Sequence, residues 1–80
     1  MSGRDYNGEP GCRSPEELQQ NFRHFWDPTA YWHCGRDRDQ PAQLRRCPAN
    51  ELFDDRERRC VKWKEWQWTE PQEPPTKPRK

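Results

Sequence analysis

The sequence predicts a small disulfide-rich β protein: an N-terminal antiparallel sheet of about three strands, a C-terminal two-stranded hairpin and one short helix. Three observations carry this. The chain has 80 residues with 28% hydrophobic and 36% charged, so it has little apolar surface from which to build a core. Four cysteines, Cys12, Cys34, Cys47 and Cys60, are spread along it, and an even number of separated cysteines in a core-poor chain fits a disulfide framework. Short aromatic or β-branched runs alternate with polar turn segments, the pattern of paired strands.

Residues 1–11 read as a disordered arm. At 14–17 the run Ser-Pro-Glu-Glu is a helix start, with Ser14 as N-cap, Pro15 in the first turn and Glu17 closing a capping box. Leu18 and Phe22 then share a face, so a helix is expected near 15–21. Pro28 marks a turn at 26–29. "AYWHC" (30–34) reads as a strand, and "AQLRRC" (42–47) as its partner across the polar loop 35–41. Leu52–Phe53 begins a second hairpin, which turns over 54–58 and returns through "RRCVKW" (58–63, with Cys60 and Trp63). From 69 to 80 the chain is Pro-rich without apolar residues and reads as a disordered tail.

Composition narrows the function. Net charge is +1 with both signs interleaved, so no large field favours nucleic acid. No apolar run reaches membrane-spanning length, and neither partner is expected. The cysteine spacing contains no C-x2–4-C knuckle, and His24 and His33 form no H-x3–5-H pair, so neither zinc nor another cofactor is expected. Nothing resembles a nucleophile beside a base, so the protein is not expected to be an enzyme. Disulfides imply an oxidising compartment, hence a secreted, extracellular protein. "MSGRDYNGEP" lacks the apolar centre of a secretory leader, so either that leader has been removed or the expectation of secretion is wrong.

Spacing alone leaves three disulfide pairings open. A resemblance narrows them. Cys47, Pro48, Phe53, Asp54 and Cys60 follow the order of a C-P-x-G-x-x-F-(N/D) motif followed by a turn, a cysteine and then a tryptophan. Tyr31, Trp32 and Cys34 match an upstream aromatic pair, one residue and a cysteine. Over 12–68 the chain resembles the peritrophin-A, or type-2, chitin-binding domain, as a four-cysteine variant like the peritrophin-like mite allergen. Asn50 stands where that family has Gly, and Asn tolerates positive φ. Pro28 and the region of Trp68 replace two cysteines that pair with each other in the family. The resemblance therefore implies Cys12–Cys34 and Cys47–Cys60.

It also implies non-catalytic binding of chitin or a chito-oligosaccharide in a cuticle, peritrophic lining or other extracellular matrix. Such a neutral glycan needs flat aromatic rings for its C–H faces and polar groups for its acetamides. The expected contacts are Trp63, Trp32 and Tyr31, with polar help from Asn50 and Asp54. Trp66 and Trp68 share one face of any extended strand, and are expected to act together as a ligand patch or as a clamp replacing the lost bridge. Against this stands the need for a core, which Tyr31, Phe53 and Trp26 are the aromatics most expected to fill. The alternative is a degenerate scaffold that has lost chitin and serves as a structural or protein-interaction module contacting matrix proteins. A toxin or antimicrobial peptide is a weaker third reading, because its usual net positive charge is missing.

Overall fold

A computed structural model describes residues 6–78. Five strands form: β1 (Asn21–Arg23), β2 (Ala30–His33), β3 (Gln43–Arg46), β4 (Glu51–Asp54) and β5 (Arg59–Lys62). The first three make an antiparallel sheet in the order β1-β2-β3, and the last two a separate hairpin. Residues 1–5 of the expected arm and 79–80 of the expected tail lie outside the described residues.

Register fixes which side chains meet. Trp32 stands between Phe22 and Leu44, and Tyr31 between Arg23 and Arg45. Consecutive strand residues point to opposite faces, so Tyr31 and Trp32 serve different neighbours. Trp32 is 8% exposed; the His24 ring stacks on it at 5.9 Å, and its indole N–H donates to the Asn7 carbonyl at 3.4 Å. Tyr31 stacks on Phe53 of β4, with ring centroids 5.0 Å apart. That stack and the Phe53 N–H donating to the Pro28 carbonyl at 2.8 Å hold hairpin and sheet together, while the Cys47 N–H donating to the Thr29 carbonyl at 2.8 Å extends the β2–β3 ladder by one pair. Cys12 is bonded to Cys34 and Cys47 to Cys60, the pairs that the resemblance implies.

The expected helix near 15–21 is a pair of turns, and the described residues contain no α-helix. Glu17 N–H bonds Ser14 O at 3.0 Å and Gln20 N–H bonds Glu17 O at 3.1 Å, each across three residues. Gln19 has φ 63°, which ends any right-handed winding. The capping box is half made: the Glu17 carboxylate accepts the Ser14 N–H, while the Ser14 hydroxyl is buried without a partner. One turn is too short to repay helix nucleation. The neighbouring backbone is recruited elsewhere, Gln19 N–H by Gly35 O at 3.0 Å and Gln20 O by Cys34 N–H at 2.9 Å.

Both flanking segments also differ from expectation where they are described. Phe25 N–H donates to Asn7 O at 2.8 Å, and Gly11 N–H to Thr76 O at 2.9 Å. Gly8 and Pro10 of the arm and Pro74 of the tail are buried. Gly8 sits at φ +90°, and a Cβ there would lie 2.5 Å from the Phe25 ring, so only glycine lets the arm lie this close to β1. Prolines in the tail lack N–H groups that would need partners, which eases its packing without a ladder of hydrogen bonds.

Candidate binding surface

Beyond β5 a 3-10 turn runs over Trp63–Glu65. It is anchored by Trp63 N–H donating to Asn50 O at 3.1 Å, one step past the last pair of the β4–β5 ladder. Asn50 adopts φ 68°, the left-handed turn that glycine or Asn accepts. Two of the expected contact residues, Trp63 and Asn50, are therefore brought together. The Trp63 ring is 57% exposed. Lys64 Nζ lies 5.8 Å from its centroid, within reach of the ring's electron-rich face.

The other expected contacts are placed elsewhere. Trp32 is buried under the arm, and Tyr31 faces the opposite way onto Phe53, so the pair forms no common platform with Trp63. Asp54 is fully buried and belongs to the hairpin turn. Its Oδ1 accepts Arg56 N–H at 2.8 Å and Nε–H at 3.1 Å, and Oδ2 accepts Arg56 Nη2–H at 2.7 Å. These bonds from Arg56, which outweigh burial, hold its carboxyl below the usual carboxylate range. These three bonds lie within its own turn, which makes Asp54 a structural carboxylate.

Trp66 and Trp68 do not act together. The Trp66 indole N–H donates to the Phe53 carbonyl at 2.8 Å and the ring is half-buried, whereas Trp68 is 65% exposed. The segment is not a strand: after the 3-10 turn, Trp66 takes φ −73° and ψ 140°, the polyproline region with three residues per turn. Residues two apart then point in different directions. Trp66 is the clamp and Trp68 is free of it.

Trp26, expected inside, is 62% exposed. His24 Nδ1 accepts the N–H groups of both Trp26 and Asp27 at 3.1 Å, tightening a bend that turns the indole outward. Accepting two amides requires a neutral imidazole; burial, with Arg46 nearby, lowers the His24 pKa despite the opposing pull of Asp27. The signal for this bend was present as a His two residues before the Trp and a Pro two after it. Exposed indoles are thus Trp63, Trp26 and Trp68. Among the described residues, no group of three or more His, Cys, Asp or Glu is arranged to hold a metal ion. No helix of the described residues is long and apolar enough to cross a membrane. Neither protein-family models, nor curated proteins, nor solved structures give a match to this chain.

Proposed function

We propose that the protein is a non-catalytic carbohydrate-binding module for chitin or chito-oligosaccharides, secreted into an extracellular matrix. The observation that carries the reading is Trp63: a broad indole left largely uncovered on a tight turn, beside a polar Asn50. An indole kept in water at this cost in apolar exposure is suited to the C–H face of a pyranose ring. Asn50 supplies an amide that can both donate and accept toward an acetamide. The motif spacing from Tyr31 to Trp63 adds to this, and two disulfides in so short a chain support an oxidising compartment. The purified protein is expected to pellet with chitin beads. Trp63→Ala is expected to stay in the supernatant while changing stability by no more than about 0.5 kcal/mol, as for a surface substitution. Wild-type protein remaining in the supernatant refutes the reading.

A second reading is favoured by one specific observation: Trp32, Tyr31 and Asp54 are committed to packing and turn formation. A domain whose exposed rings form no shared platform with Tyr31 and Trp32 would be a degenerate scaffold serving as a protein-interaction module. Tryptophan emission separates the two. A spectrum that shifts on titration with chito-oligosaccharide supports the glycan; an unmoved spectrum supports the scaffold.

A further inference from the structure

We propose that the outer edge of β3 is a docking strand for an extended acidic peptide, which joins the sheet beside β3. The surface is separate from Trp63, and the inference stands whether or not a glycan binds there.

Ladder geometry comes first. The bond from Cys47 N–H to Thr29 O makes residues 29 and 47 a hydrogen-bonded pair. Antiparallel pairs alternate, so Tyr31–Arg45 and His33–Gln43 exchange bonds, while Trp32–Leu44 and Ala30–Arg46 do not. Leu44 and Arg46 therefore turn their N–H and C=O groups away from β2. Among the described residues, nothing outside the sheet bonds these groups, and all four residues of β3 are exposed.

The remaining edges are treated differently. On β1 the Asn21 carbonyl accepts Arg58 Nη1–H at 2.9 Å, and the arm runs alongside at Gly8. On β4 the outward groups of Phe53 are both taken, its N–H by Pro28 O and its carbonyl by the Trp66 indole. β5 turns Cys60 and Lys62 outward, next to the bridge to Cys47. An open edge is a template for another strand, and here β3 offers the fully exposed one.

Charge selects the occupant. Arg45 has no carboxylate partner among the described residues; its guanidinium reaches only Gln43 Oε1 at 3.0 Å. Arg46 pairs with Asp27 at 3.1 Å in an open, solvent-facing contact, which is easily exchanged. Leu44, 48% exposed, offers an apolar contact between Trp32 and an incoming side chain. A second copy of the chain pairing through β3 would bring arginines against one another, which is unfavourable. A strand carrying Glu-Glu-Val, antiparallel to Leu44–Arg45–Arg46, would place carboxylates across from both arginines and a valine across from the leucine.

The test uses the full chain labelled with 15N and an eight-residue synthetic peptide of Val, Thr and Glu containing Glu-Glu-Val. Peptide binding is expected to shift the Leu44 and Arg46 amides and to slow their hydrogen exchange. Leu44→Pro removes an N–H that β2 does not use, so the fold is expected to persist and binding to fall about tenfold or more. Arg45→Glu is expected to weaken the Glu peptide and favour a Lys-substituted one; this reversal decides the matter if Leu44→Pro does not fold. The proposal is overturned by unprotected Leu44 and Arg46 amides, by protection at Cys60 and Lys62 instead, or by equal binding of both peptides. Undiminished binding to folded Leu44→Pro overturns it too, as does self-association that protects these amides without peptide.

Discussion

Glu17 has no exposed surface, and four donors explain how a carboxylate is kept there. Oε1 accepts the N–H of Arg13 at 2.9 Å, the N–H of Ser14 at 3.2 Å and the Thr76 hydroxyl at 2.6 Å; Oε2 accepts the Thr76 N–H at 2.9 Å. Burial works to raise its pKa, but the Thr76 bonds, with those from Ser14 and Arg13, hold it below the ordinary value. Glu17→Gln turns an NH2 group toward donors and is expected to cost about 2–4 kcal/mol, read from urea unfolding. For Glu17 and Asp54 the folded pKa is depressed. Their stabilisation is therefore complete above the ordinary carboxylate range and lost as pH falls through the folded value. His24 acts in the same direction but begins higher: it is neutral when folded and gains its proton more readily when unfolded. The urea midpoint is expected to hold from pH 8 to 7, to decline below about 6.5 and to fall more steeply below about 4.5. His33, whose pKa burial and Arg45 also lower, contributes over the same range, so a His24→Asn variant should lose part of the upper decline and keep the His33 part. In the sequence the Ser14–Glu17 spacing was readable as a cap. Its true partner, Thr76, lies 59 positions away, and no local rule reaches that far.

Strands β2 to β5 were legible because apolar and aromatic residues fall between Pro-, Gly- and Asp-containing turns. The weaknesses lie where two local patterns compete. Leu18 and Phe22 fit a helical face, yet Phe22 is taken into β1 opposite Trp32, because the ladder with β2 offers more bonds than one isolated turn. Trp66 and Trp68 look like alternate residues of a strand until the 3-10 turn at Trp63–Glu65 changes the twist. Trp66 closes β4 through one indole bond, so Trp66→Phe keeps most of the ring and removes the donor. That change is expected to cost about 1–3 kcal/mol, as a lower urea midpoint with the disulfides intact. Replacing Cys47 and Cys60 together by Ala opens a loop with a sequence separation of 13 and is expected to cost about 3 kcal/mol.

At the scale of the molecule, sheet and hairpin meet at the Tyr31–Phe53 stack and the Phe53–Pro28 backbone bond, and the flanking segments pack beside them. The Thr76 region bonds both Gly11 and Glu17, and Arg23 reaches Thr69 through a guanidinium. Ending the chain after Trp68 is therefore expected to expose the Glu17 carboxylate's unused acceptors, lower the urea midpoint and speed proteolysis near Arg13. A tail that contributed nothing would leave all three unchanged. Composition made this segment look idle, since proline and charge dominate it. Its contribution rests on threonine hydroxyl and backbone groups, which composition does not weigh.

The positions of the two bridges also set how the molecule yields to force. Cys12–Cys34 and Cys47–Cys60 span separations of 22 and 13. Tension applied at the two ends can draw out only the chain outside those rings. β2 and β5 each have a bridged cysteine at or beside them, so even a stretched molecule would keep short loops from which the ribbons can re-form. A reductant would then act as a release, letting a stiff molecule become a long compliant thread.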